Sequence, residues 1–376
     1  MQNIDRIQTT HVGSLPRPLA LEQLLLAREK GEISPEQSSE LPAMISDAVR
    51  DIVRRQRQIG LDIVSDGEMS KYAYATYARN RMSGLEGGDQ PLALSELAEF
   101  PDFASKVVLD IKTPACCGPL VYHGQSEVQT DISVLQAALA ETGGGQAFMN
   151  ASSPGIMATY MPNQHYATQD DYLEALAAVM KHEYDAIAAS GLLLQIDCPD
   201  MALGRHFRPA PAEVGDFRRE LGRLIEVLNH ALRDIPADRM RLHLCWGNYN
   251  SPHHHDIDLA EILDLILTVR PGAILLEGAN PRHEHEWAVF KDIPLPEDKV
   301  LVPGVIDTCT NYIEHPENVA QRLQRYADVV GRDRVLAGTD CGFASFATLH
   351  NVDSEIGWRK LRSLVEGAEI ASGRLW

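Results

Sequence analysis

The stretch TQDDYLEALAAVMKHEYDAIAASGLLLQIDCPD, residues 168–200, decides the fold. Its first part sets apolar residues at helical spacing behind an acidic start, the signature of a helix that buries one face. The pattern then changes to LLLQID, a near-continuous apolar run of strand length that ends in a polar turn. Such a run suits a strand covered on both faces, as in a parallel sheet. Working outward, similar runs occur at 7–14 (IQTTHVGS), 61–68 (LDIVSDGE), 146–155 (QAFMNASSPG), 240–248 (MRLHLCWGN), 273–280 (AILLEGAN), 300–307 (VLVPGVID) and 334–343 (RVLAGTDCGF). Eight alternations of strand and helix predict an α/β chain folded as a (β/α)8 TIM barrel; a doubly wound open sheet is the other architecture written in this pattern. One segment, KVVLDIKTPACCGPLVYHGQSEVQT (106–130), breaks the alternation and reads as extended, turn-broken chain. We expect an inserted hairpin there, between strands two and three, covering residues 100–132. No linker, repeat or low-complexity run divides the sequence, so a single domain is expected over residues 1–376.

The composition, 44% hydrophobic and 23% charged, is that of a folded globular protein. With 53 acidic against 34 basic residues the net charge is −19, which argues against nucleic acid and anionic lipid as partners. The N-terminus has no apolar signal region, and no run approaches the ~18 apolar residues of a membrane span. The expectation is a cytoplasmic protein without membrane contact, acting on small molecules; a homo-oligomer is compatible with this. Six scattered cysteines in a chain of this kind are expected to be free, metal-binding or catalytic rather than bridged.

In a barrel of this class the active site lies at the C-terminal ends of the strands. Strand five ends in His243-Leu244-Cys245, whose outer two side chains project to the same side. Strand six ends in Glu277 and strand eight in Asp340-Cys341. Each alone reads equally well as a small or polar residue at a strand end. Together at one rim, a nitrogen, two sulfurs and an oxygen suit Zn2+ better than magnesium, calcium or redox iron. The rim also carries Asp66, Glu68 and Asp197, readable as acid/base groups, as a site for a substrate ammonium, or as solvated loop residues. Val12-Gly13-Ser14 offers backbone N–H groups and a hydroxyl for a substrate carboxylate.

From TTHVGSLPRP through SDGE, LLLQIDCPD, HLCWGN, LLEGAN, VPGVIDT and GTDCGF, the sequence resembles the catalytic domain of cobalamin-independent methionine synthase and its single-domain relatives, in the family's order and over nearly the whole chain. The resemblance implies a catalytic zinc on His243, Cys245, Glu277 and Cys341, and a homocysteine whose amino group is held by Glu68 and Asp197 and whose carboxylate is held by Val12, Gly13 and Ser14. It implies transfer of a methyl group to that thiol, from 5-methyltetrahydrofolate or another carrier. The longer enzymes of the family carry a further N-terminal barrel that helps bind polyglutamyl folate, which leaves folate use open here. Where the family's strand-seven motif has a His two residues after its Asp, this chain has Asp307-Thr308-Cys309, so Asp307, Cys309 or a water is expected to deliver the proton to the leaving group.

Two other readings stand beside this one. In the first, the same centre alkylates another thiol, as in the epoxyalkane:coenzyme M transferases; a sulfonate would want cations such as Arg17, Lys71, Arg205 or Arg282. In the second, the four ligands close a non-catalytic zinc site that only stabilises the barrel. His253-His254-His255 reads as a polar surface turn, His283 and His285 as solvated, Cys116-Cys117 as two free thiols, and Cys198, beside Asp197 and where many relatives have Glu, as a residue lining the pocket.

Overall fold

The computed structural model describes residues 5–91, 94–106 and 112–376. Six parallel strands form a curled sheet: β1 (Val64–Ser65), β4 (Ala147–Ser152), β5 (Leu193–Asp197), β6 (Met240–His243), β7 (Ala273–Leu276) and β8 (Val300–Pro303), hydrogen-bonded in that order. Each register step keeps the strand ends level, so that Ser152 pairs with Asp197 and Asp197 with His243. Between β8 and β1 stand two further segments. Leu336 N donates to Leu301 O, Ala337 N to Gln8 O, Thr10 N to Ala337 O and Ile63 N to Thr9 O, all at 2.8–3.1 Å.

The expected helix over 169–189 is present, with the Thr168 hydroxyl accepting from Asp171 N at its start. Helices such as this one and Pro35–Ile59 cover the outside of the sheet, and one large apolar cluster lies between the two layers. A smaller cluster, including Val12, Phe148, Leu275, Val302 and Leu336, fills the inside. Arg241 is buried with it: its guanidinium lies 4.0 Å from the Phe148 ring centroid and donates to Thr10 Oγ1 and His11 O.

Strands β2 (Met82–Pro91) and β3 (Lys112–Tyr122) pair antiparallel, Met82 opposite Tyr122 and Leu85 opposite Cys116. Within the stretch expected to be extended, residues 107–111 lie outside the described residues, and Gln125–Glu141 is a helix. That correction has a simple cause: Val128, Ile132, Leu135 and Leu139 recur at helical spacing, and a segment ending at residue 130 cuts the period in two. Among the described residues no helix is long and apolar enough to cross a membrane.

Candidate metal and thiol site

The ends of β5 and β6 and the 334–343 segment converge on one cavity of about 480 Å³. His243, Cys245 and Cys341 meet there, buried, with ligand atoms all within 4.8 Å of one another. His243 comes from the last position of β6, and Cys245 two residues on returns to the same side. Burial opposes charge on His243, yet hydrogen bonds to Asp197 and Cys341 lift its pKa to about 10. The Cys245 thiol, followed by His243, holds the Cys341 pKa down to about 5, while the same contact with Cys341 pushes that of Cys245 up.

Glu277 does not join this cluster. Its Oε1 accepts from Trp246 N at 2.7 Å and its Oε2 from Asn280 Nδ2 at 2.5 Å, and burial pushes its pKa up to about 8. The turn that carries it is braced by Asp340, whose Oδ1 accepts from Gly278 N and Ala279 N and whose Oδ2 accepts from Asn280 N, each at 2.9 Å. Three of the four expected ligands are therefore together, and the fourth is held beside them by its own chain.

Asp197 lines the cavity, held by Asn150 Nδ2 at 2.9 Å, Gln195 Nε2 at 2.8 Å and His243 Nδ1 at 3.4 Å. Glu68 lines it too, from a backbone at φ +57, a strained conformation for a residue with a side chain. Its buried Oε2 has no hydrogen-bond partner, and burial first, then Asp197, raises its pKa to about 7. Val12 and Ser14 reach the cavity, but Val12 N is already given to Thr339 Oγ1 at 3.2 Å. Gly13, at φ +152, lets the backbone pass Asn150: a Cβ there would stand 2.5 Å from its Nδ2.

The nominated proton donors fare differently. Asp307 accepts from Cys309 N at 2.9 Å and from Thr310 N and Oγ1, capping its own loop. Cys309 Sγ donates to Asn248 Oδ1 at 3.1 Å, and burial pushes its pKa well up. Neither lines the cavity; Asn248 does. The four cations considered for a sulfonate are also elsewhere. Arg17 donates to Glu68 O and Ala344 O, Lys71 to Asn150 O and Arg205 to Ala212 O, while Arg282 is exposed.

Several residues corrected their sequence reading. His283 is buried: it bridges Asp256 Oδ2 at 2.9 Å and Glu286 Oε2 at 2.8 Å and stacks on Trp246, with ring centroids 4.0 Å apart. His253 joins the same network, 3.0 Å from Asp256, and His254 and His255 face Glu99. Cys198 is buried outside the cavity lining, and all six cysteines are free.

A sequence profile of the family "Cobalamin-independent synthase, Catalytic domain" matches residues 7–91 and 154–369. The chain belongs to that family. Among family proteins, the methionine synthase of Thermococcus kodakarensis is 23% identical over 98% of this chain and 94% of its own. The 2-hydroxypropyl-CoM lyase of Xanthobacter autotrophicus is 25% identical over 98% of this chain and 96% of its own. A B12-independent methionine synthase from a Shewanella species, solved with selenomethionine, superposes with a TM-score of 0.75 at 20% identity, covering 98% of this chain and 99% of that one.

Proposed function

We propose that this family member is a zinc-dependent transferase that activates a thiol for alkylation, and that its reaction is methyl transfer to homocysteine, giving methionine. One observation carries the reading: a buried imidazole and two cysteine sulfurs within 4.8 Å of one another face a cavity that also holds two carboxylates. One nitrogen and two soft sulfurs fit zinc, with Glu277 beside them as the fourth ligand or the one that yields to substrate. Bound zinc supplies acidity: a thiol of ordinary pKa about 8.5 coordinated there is held as the nucleophilic thiolate at neutral pH.

The chain's own residues do the rest. Asp197, its oxygens oriented by Asn150 and Gln195, and Glu68 Oε2, which has no hydrogen bond and only Arg17 at 3.9 Å, receive the substrate ammonium. The Ser14 hydroxyl, which lines the cavity, is the group left to meet the carboxylate, since Val12 N is taken. The apolar cavity walls keep water from the nucleophile. A single zinc-binding domain over residues 1–376, built as a closed eight-stranded barrel with a hairpin between its second and third strands, is the architecture that goes with this reading; the backbone hydrogen bonds of segments 8–10 and 335–338 to β8 and to residue 63 support the closure. Alkylation of a sulfonate thiol, the chemistry of coenzyme M, is disfavoured because none of the four candidate cations reaches the cavity.

The test is a mass-spectrometric assay for methionine, with zinc-loaded protein, homocysteine and 5-methyltetrahydrofolate in mono- and polyglutamyl forms. Zinc-dependent product supports the reading with folate as donor. No product, with homocysteine shown to coordinate the metal, moves the donor to another class.

A further inference from the structure

Beside the sulfurs, the cavity wall is aromatic. Tyr74, Tyr160 and Phe346 all line it, with ring centroids 6.0, 6.1 and 6.4 Å from one another, and the Tyr74 hydroxyl donates to that of Tyr160 at 3.2 Å. Burial and then, for Tyr74, the Tyr160 hydroxyl raise the pKa of these phenols, and the Cys245 and Cys341 sulfurs add to it. The carboxylates near them outnumber the fixed cations. Glu68 and Asp197 contribute carboxylates, no arginine is among the described lining residues, the one lysine, Lys106, is exposed, and His350 is paired with Glu22 at 3.1 Å. Among the described residues a polyanionic donor finds no clamp. The faces of aromatic rings, with acids nearby, attract a soft cation without a hydrogen to give.

We propose that the rings of Tyr74, Tyr160 and Phe346 form the donor subsite, and that the donor is a methyl onium compound, a sulfonium or a quaternary ammonium. The inference rests on the thiol-alkylation reading above and names its donor class. The chemistry balances without a proton. The thiol has already released its proton to solvent; the thiolate sulfur forms a bond to the methyl carbon as the bond from that carbon to the onium atom breaks. The electron pair stays on the leaving sulfur or nitrogen, which departs as a neutral sulfide or tertiary amine. This agrees with the placement of Asp307 and Cys309, the nominated proton donors, outside the cavity lining.

The experiment is calorimetric titration of zinc-loaded, homocysteine-saturated protein with 2-hydroxyethyltrimethylammonium and with its neutral carbon isostere, 3,3-dimethylbutan-1-ol. The cation should bind at least about tenfold tighter, the size of one or two cation–π contacts. Tyr74→Leu and Phe346→Leu should remove that preference while leaving the affinity for the neutral isostere in place, which guards against misfolded variants. Equal affinity of cation and isostere for the unaltered protein overturns the proposal. In a second arm, trimethylsulfonium and tetramethylammonium are supplied as methyl donors and methionine is measured; the salt that yields product identifies the leaving atom, and product from neither overturns the proposal. Methionine formed only from 5-methyltetrahydrofolate rejects the onium donor and leaves the thiol-alkylation reading intact, whereas failure of homocysteine to bind at all rejects both.

Discussion

Cys341 and His243 each supply one of three donors gathered within 4.8 Å, so removing either leaves too few soft ligands to hold zinc. Cys341→Ser and His243→Ala should lose metal by elemental analysis, weakening zinc by more than the roughly 10–100-fold that loss of an outer partner costs. Circular dichroism should show the fold intact, and full zinc content in either variant would place the metal elsewhere. Asp197→Asn keeps the shape but removes the charge proposed to meet the substrate ammonium. Homocysteine should bind about tenfold more weakly, the scale of one charge-assisted hydrogen bond, with zinc content unchanged. Gly13→Ala puts a methyl group 2.5 Å from the Asn150 amide in a backbone conformation that side chains resist, and should lower stability by about 1–3 kcal/mol in urea titrations. At this scale the sequence was legible where strand geometry alone sets direction: His243 and Cys245, two apart at a strand end, must share a side. It was not legible where a partner far along the chain decides. RHEHEW looks solvated until Asp256, 27 residues away, is seen to take the His283 proton donor.

The short helix Pro154–Tyr160 shows how one element braces the next. Ser153 caps it, accepting from Ile156 N at 2.9 Å, and its hydroxyl donates to Asp200 Oδ1 at 2.6 Å, just beyond β5. Burial, with Glu220 adding to it, lifts the Asp200 pKa to about 7, against about 3.9 for an unfolded Asp. Between those two values the folded chain holds a proton that the unfolded chain has lost, so this group makes stability fall as pH rises from about 4 to 7. Asp200→Asn has no such dependence. Its urea midpoint relative to the parent protein should climb across that window and level off above it; a difference that stays constant with pH would mean that Asp200 ionises as it does in the unfolded chain. Ser153→Ala removes both the cap and the donor and should cost about 2 kcal/mol. Elements were legible in the sequence where their period was unbroken, as in LLLQID or residues 169–189. The first arm of the antiparallel pair, MSGLEGGDQP, was missed because its three glycines and its charges leave no alternation to read, and β-pairing with Lys112–Tyr122 supplies what the local pattern lacks.

On the scale of the whole molecule, the question is whether the metal centre belongs to the chemistry or to the fold. The apolar interior is complete without it: the inner cluster takes residues from the first segment, the last segment and the strands between, and Arg241 ties β6 to the first segment through Thr10 and His11. The outer cluster is larger still and fills the space between helices and sheet, reaching the cavity wall at Tyr160 and Phe346. Small modules that depend on zinc lack such a core, and there the binding energy of the metal is the folding energy. Under the proposed zinc reading, the metal would act on stability only through mass action, adding RT ln(1 + [Zn]/Kd), about 4 kcal/mol when free zinc exceeds Kd a thousandfold. Chelated protein should therefore keep its circular dichroism and a single cooperative unfolding transition, with a midpoint lowered by an amount that tracks free zinc. If chelation instead abolishes the cooperative transition, the three ligands hold the barrel together and the non-catalytic reading gains what the catalytic one loses. The outcome separates the two because a catalytic centre needs an exchangeable ligand position and a fold that waits for it, whereas a closed structural centre needs neither.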